Sequence, residues 1–408
     1  MTVPLTPPTF GALRHRNFRL FLTGQFVSLT GTWMQTVAQG WLVLKLTESA
    51  FQVGLVTTLG TLPVLLFTLY GGVIADRVNK RRFILALQAC MLVQALALAI
   101  LTSTGRVTVV WVMVLASLLG TLSAFEIPAR QAFLSEMVGR DDLMNAIALN
   151  SSVFNVTRVI GPAVAGALIA TVGIAACFFL NAVSYVAVLV MLASMRPPYA
   201  GARAPSVGAA GFREGLRYIL GRAQPRALAT LTTAFSIFGF SFATMLPVYA
   251  DRVLRAGAGG YGALMSGVGI GAAASALFLA GFGHRLDRDR AVYVTGGLFG
   301  LSLIAAGLAS HFAVAFTLLT LAGCTWAMNA ILTNTLLQTT SPDHLRGRVM
   351  GFYSFMVVGM APFGSLQAGW VAEHWGVGFA IAVGGLVCFL TAVVVARLAR
   401  RTQTTMPQ

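Results

Sequence analysis

Twelve apolar stretches, each long enough to cross a hydrocarbon layer of about 30 Å as a helix, run at roughly 18–44, 51–75, 83–104, 107–125, 146–171, 175–195, 227–250, 260–282, 291–309, 312–336, 349–372 and 376–396. Lipid offers the backbone no hydrogen-bond partner, so a spanning segment must satisfy its own polar groups. Runs of this length do so as helices, and the expected fold class is an all-α membrane protein with twelve transmembrane helices. Composition agrees: 57% of residues are hydrophobic, 10% are charged, and the mean hydropathy is +0.80. Little chain remains for a soluble domain of ordinary size. A membrane sensor or scaffold would carry such a domain or a long tail, and an intramembrane hydrolase would need a nucleophile, base and acid grouped within the spans. Neither pattern is visible.

The longest polar interruption, MRPPYAGARAPSVGAAGFREGLRYILGRAQPR, separates the sixth span from the seventh. Rich in Pro, Gly and Arg, it reads as a linker with a short amphipathic stretch near Phe212 to Leu220. The chain thus divides into a first half at 1–196, a linker at 197–225 and a second half at 226–408. The halves echo each other. ADRVNKRR closes the second span and HRLDRDR the eighth, while VIGPAVAG of the fifth lies 200 residues before GMAPFGSL of the eleventh, with Pro162 and Pro362 aligned.

A net charge of +16 would suggest nucleic acid as the partner of a soluble chain. Here position decides otherwise. Of the 28 basic residues, 23 fall in the tails and loops on the side of the termini, and only Lys45, Arg106, Arg252 and Arg255 on the other. By the positive-inside rule both termini face the cytoplasm, as expected of a multi-pass protein of a bacterial inner membrane. The amino terminus lacks a signal-peptide pattern. Cys90, Cys177, Cys324 and Cys388 sit in apolar stretches and read as small buried hydrophobes, and the five scattered histidines argue against a metal site. No cofactor is implied.

Within the spans, three stripes and one charge stand out. Gln25, Ser28, Thr32, Gln35 and Gln39 of the first span recur at spacings of 3 and 4, on one helical face. They form either a cavity wall or a set of polar bonds between adjacent helices. Trp326, Asn329, Thr333, Asn334 and Gln338 make a similar stripe in the tenth span. Phe235, Phe238, Phe242 and Met245 in the seventh form an apolar wall or ordinary core. Arg158, about 18 Å into the fifth span at 1.5 Å per residue, lies near mid-membrane and needs a partner. Glu126 is the nearest candidate acid, and an anionic substrate group is the alternative. Glu48, Asp251 and Glu373, near span ends on the side away from the termini, read as proton-entry carboxylates or as solvated caps. GVGIGA lies inside an apolar span and reads as close helix packing, not a phosphate loop.

GGVIADRVNKRR resembles the signature loop of the major facilitator superfamily, with Gly72, Asp76, Arg77, Lys80 and Arg81 in the family's positions and Asn79 where a second glycine is usual. The resemblance implies that Gly72 permits close packing, that Asp76 sits against a neighbouring helix amino terminus, and that Asn79 takes the left-handed backbone of the missing glycine. Gly161, Pro162 and Gly166 are similar to the exporters' antiporter signature and imply a kinked gating helix. FRLFLTGQFVSLTGTWMQTVAQGWLVLKLTESAFQVGL, FEIPARQAFLSEMV and HLRGRVMGFYSF are similar to the efflux branch that contains the enterobactin exporter and the macrolide efflux proteins. In this superfamily helices one, four, seven and ten line the central cavity, so all three stripes would fall on the substrate path. The expectation is a secondary transporter, acting as a monomer, that exports a siderophore-like or drug-like molecule by proton antiport. An uptake carrier or lipid-handling transporter of the same fold is the alternative. No nucleotide-binding motif occurs, which leaves an ion gradient as the energy source.

Overall fold

The computed structural model describes residues 11–195 and 209–404, which are helical with no strand among them. Twelve helices correspond to the expected spans: α1 Arg16–Thr47, α2 Ala50–Arg77, α3 Lys80–Ser103, α4 Val109–Gly139, α5 Asp141–Thr171, α6 Ile174–Ala193, α7 Ala223–Val253, α8 Gly257–Phe282, α9 Arg288–Leu308, α10 Phe312–Thr340, α11 Asp343–Trp375 and α12 Val377–Thr404. Eleven are apolar enough to cross a membrane by length and composition. The twelfth, α1, has the length, but Gln25, Gln35 and Gln39 dilute its hydropathy.

Local chemistry sets the helix ends. Ser49, Asn79, Thr108 and Asp287 cap α2, α3, α4 and α9, each side chain accepting the backbone N–H three residues on. Asn79 does this with φ −67°, so the left-handed turn expected there is absent and its side chain serves as a cap instead. Gly139, at φ 71°, separates α4 from α5. The fourth span therefore continues well past residue 125, and it carries Glu126 and Arg130 inside a helix and not in a loop.

The two halves repeat one packing scheme. In the first, α2 packs on α4, α1 on α5 and α6, and α3 on α6; in the second, α8 packs on α10, α7 on α11 and α12, and α9 on α12. Between the halves, α2 meets α11 and α5 meets α8. These two seams are mirror copies at residue level. A Cβ added to Gly54 of α2 would meet the Ser365 carbonyl at 2.5 Å, and one added to Gly262 of α8 would meet the Pro162 carbonyl at 2.5 Å. Thr58 donates to the Pro362 carbonyl, and Ser266 to the Val159 carbonyl. Each α2 residue thus maps to an α8 residue 208 further on, and each α5 residue to an α11 residue 203 further on. By this mapping Pro162 is equivalent to Ser365 and Pro362 to Val159, so the sequence alignment of the two prolines is three residues out of register. Backbones this close need small residues, because lipid supplies no hydrophobic drive between helices.

Polar contacts across the halves mark one closed end, the one away from the termini and here named the far end. Lys45 pairs with Asp251 at 3.0 Å, Arg252 donates to the Glu48 carbonyl, and Glu373 accepts from the amides of Ala50 and Phe51. Glu373 of one half thus caps the amino terminus of α2 in the other. Asp251 and Glu373 are thus engaged as a clamp and a cap, whereas Glu48 is exposed and lends only its backbone carbonyl. At the end carrying the termini, the linker helix Ala209–Gly221 lies against α11, with Tyr218 donating to the Thr340 carbonyl and Arg348 paired with Glu214. Linker residues 197–208, and Arg196 before them, lie outside the described residues.

Candidate functional site

The polar stripe of α1 turns into its own half. Gln35 donates to Gln94 of α3 at 3.2 Å and accepts from Asn181 of α6 at 2.7 Å, and Gln94 donates to the Leu115 carbonyl of α4. Gln25 accepts from Arg130 at 2.8 Å, and Ser28 is buried. Thr32 and Gln39 are half-buried on the same face. Of the two readings, interhelical bonding is therefore the observed one for Gln25 and Gln35, and Ser28 is buried beside them. The cause is general: a bundle interior tolerates polar side chains only in mutual bonds.

Beside this network sits Glu126, the carboxylate expected to pair with Arg158. It is 6% exposed, and Arg130 Nε lies 3.0 Å from its Oε1, an ion pair whose N–H is not aimed at the oxygen. Gln88 of α3 donates to the same oxygen at 3.5 Å. The Arg158–Glu126 pair is thus corrected: Arg130, one turn along the same helix, holds Glu126. Nearer the termini, Lys80 and Glu136 pair at 2.6 Å.

Helix α7 departs from regular α geometry twice. The Phe240 amide donates to the Phe235 carbonyl and the Leu254 amide to the Tyr249 carbonyl, each five residues back, which makes two π turns at Phe235–Gly239 and Tyr249–Val253. A π turn inserts one extra residue and rotates the rest of the helix by about 100°. Phe235 and Phe242 pack against Phe299 of α9, and Met245 is fully buried, so this stripe is the core of the second half. Phe238, half-buried, packs against the same core. Phe240, unremarked in the sequence, instead stacks on Trp326 with centroids 5.1 Å apart.

In α10, Asn329 is buried and donates to the Val292 carbonyl of α9 at 2.6 Å, and Thr333 is buried as well. These two leave the cavity wall. Asn334 accepts from exposed Gln338 at 2.7 Å on another part of the helix.

Trp326 belongs to a row that crosses between the halves. The Arg158 guanidinium carbon lies 4.9 Å from the Trp326 ring centre and 5.8 Å from that of Trp33 on α1. Trp33 in turn meets Phe154 of α5 edge-on at 5.8 Å. Phe154, Trp33, Arg158, Trp326 and Phe240 thus form one contiguous line drawn from α5, α1, α10 and α7. Gly161 makes it possible: a Cβ there would come 2.5 Å from Trp33 Cβ.

The signature residues occupy the end carrying the termini. Arg81 donates to the Leu192 and Ala193 carbonyls at 2.7 and 2.6 Å, capping the last turn of α6. Asp76 and Arg77 are exposed, and among the described residues no hydrogen bond or ion pair joins Asp76, so the expected contact with a helix amino terminus is not made in this conformation. Gly72 has no atom within 4 Å of an added Cβ; its neighbour Gly71 makes the close approach, to the Phe125 Cα of α4 at 3.0 Å. Pro162 and Gly166 both face α8. Cys177 and Cys388 are buried as expected, whereas Cys90 is exposed.

Residues 7–406 match the family described as transmembrane secretion effectors. The chain belongs to that family, within the major facilitator superfamily. It is 26% identical to the staphyloferrin A transporter of Staphylococcus aureus, covering 88% of this chain and 90% of the relative, and 29% identical to the multidrug efflux pump Tap of Mycolicibacterium fortuitum, covering 92% and 94%. The enterobactin exporter EntS of Escherichia coli O1:K1 / APEC is 27% identical over 97% of this chain and 95% of its own. Among solved structures, a bacterial homologue of the human lysosomal transporter Spinster, inward-facing and unoccupied, superposes with a TM-score of 0.74 at 14% identity over 99% of both chains. A peptide transporter in complex with sulfate gives 0.76 at 15% identity, over 97% of this chain and 96% of its own. Family and fold identify this secretion effector as a multi-pass membrane transporter of small molecules and not an enzyme.

Proposed function

We propose that this secretion effector exports a siderophore-like or drug-like organic molecule across a bacterial cytoplasmic membrane in exchange for protons, working as a monomer by alternating access. The halves at 1–196 and 226–408 rock about the two glycine-lined seams, with the segment at 197–225 as a cytoplasmic tether. The observation that carries this reading is the mirror register of the seams, α2 against α11 and α5 against α8. Two equivalent hinges around one centre allow either end to open at similar cost. The named relatives support export, and the basic bias supports cytoplasmic termini. The clamped far end is then the periplasmic one, and the conformation is the one that loads cargo from inside.

For coupling, we infer that Glu126 carries the proton. It is a carboxylate deep in the first half, balanced by Arg130, which also donates to Gln25, and reached by Gln88. Protonation would release Arg130 and alter the charge of the bundle interior, an energy change large enough to bias a two-state equilibrium. In inverted vesicles with an acid interior, wild type should accumulate a fluorescent drug, and a protonophore should abolish the effect. Glu126→Gln should retain exchange of labelled for unlabelled drug while losing accumulation driven by the pH gradient. Accumulation that is indifferent to the gradient, or unchanged in Glu126→Gln, would exclude this coupling.

A further inference from the structure

Arg158 is 8% exposed, yet its contacts among the described residues are two aromatic faces and no carboxylate. Guanidinium stays charged at any physiological pH and carries five N–H donors in a planar fork. Indole faces offset part of the lost hydration through their quadrupoles, but they accept none of these hydrogen bonds in the fork's own plane. Among the described residues the most deeply placed cation therefore meets two indole faces, while its N–H edge makes no hydrogen bond and is not sealed from solvent. Two acids that could have been drawn to it have other partners: Glu126 is held by Arg130, and Asp251 by Lys45.

Its position is equally specific. Arg158 lies on α5 next to the seam with α8, where an added Cβ on Gly269 would lie 3.0 Å from the Arg158 carbonyl. One flanking indole belongs to each half. One turn toward the termini on the same helix, Phe154 is 42% exposed and Ser151 is exposed, so the row opens toward the end that the proposed function assigns to the cytoplasm.

We propose that Arg158, Trp33 and Trp326 form a cargo site for an organic anion: a carboxylate or acidic phenolate on an aromatic body. The oxyanion takes the edge of the guanidinium, where a planar pair of oxygens matches two parallel N–H groups. The ring lies along Trp33, Trp326 and Phe240. Because the two indoles sit in opposite halves, the site is complete only while the halves hold their present relation, and rocking removes one wall. This inference rests on the transporter reading and names the cargo class of that same centre.

The test uses purified full-length protein in detergent and two probes of equal shape, 2-naphthoate and 2-naphthylmethanol, with tryptophan fluorescence as the readout. Wild type should bind the anion at least about tenfold more tightly than the alcohol, the worth of one charge-assisted pair. Arg158→Gln should erase that preference by weakening the anion alone, and Arg158→Lys should keep part of it. Trp326→Phe should weaken both probes together. The comparison of probes on wild type needs no variant, so a misfolded Arg158→Gln protein does not shelter the proposal. No binding of naphthoate, equal affinity of wild type for the two probes, or an anion preference that survives in Arg158→Gln, would overturn it. Drug accumulation in vesicles by a wild type that fails this test would leave the export reading intact. Loss of accumulation in a wild type that passes it would sink the export reading alone.

Discussion

Gln35 accepts from Asn181 and donates to Gln94, and this short chain of amides ties α6, α1 and α3 into one body. Removing one member leaves its partners buried with an unmet hydrogen bond, a cost of about 1–2 kcal/mol in a membrane interior. Asn181→Leu is accordingly predicted to lower the melting temperature of the purified protein by several degrees while leaving affinity for a bound cargo unchanged. A normal melting temperature with altered affinity would return these residues to the cargo wall. The residue scale also shows where sequence reading stops. Periodic polar side chains establish that a helix face avoids lipid, but a bundle interior and a water-filled cavity avoid it equally well. Gln25 and Gln35 fell on the first side of that ambiguity.

At the scale of elements, the spans and the linker helix were legible because length and hydropathy decide them, but the fourth span runs on to Gly139 through residues whose polarity reads as loop. Two features of the helices were not legible. The π turns of α7 carry no compositional mark, so Phe240 reached the central row while the face containing Phe235, Phe242 and Met245 went to the core. Glycines were visible, but not which of them touch: Gly71 packs against α4 where Gly72 does not, and Gly54 and Gly262 occupy matching places in the seams. Adding a branched side chain at a seam forces backbones apart, and a packed interface absorbs little of that strain. Gly54→Val and Gly262→Val are predicted to reduce transport about tenfold or more, each by a similar factor. Gly72→Val, with open space around it, is predicted to change transport by less than about twofold. Rates in vesicles, normalised to inserted protein, decide the matter, and unequal effects at Gly54 and Gly262 would contradict the mirror register.

At the scale of the whole molecule, the far end is clamped by Lys45 with Asp251, Arg252 with the Glu48 carbonyl, and Glu373 with the start of α2, while Asp76 stands apart at the other end. Each clamp is exposed or at a helix end, so each is individually weak and breakable on the time scale of domain motion. A transporter whose ends open in turn needs closures of this kind, since a deeply stabilised state would trap the cycle. The most direct check is a pair of spin-label distances on one functional protein with its native cysteines replaced. One pair sits at the far end on exposed Arg106 and Ser310, and the other near the termini on exposed Arg82 and His284. On adding cargo and varying pH, the far-end distance is expected to lengthen in the same population in which the distance near the termini shortens. Distances that rise together, or that stay fixed in protein that still transports, would contradict alternating access about the two seams.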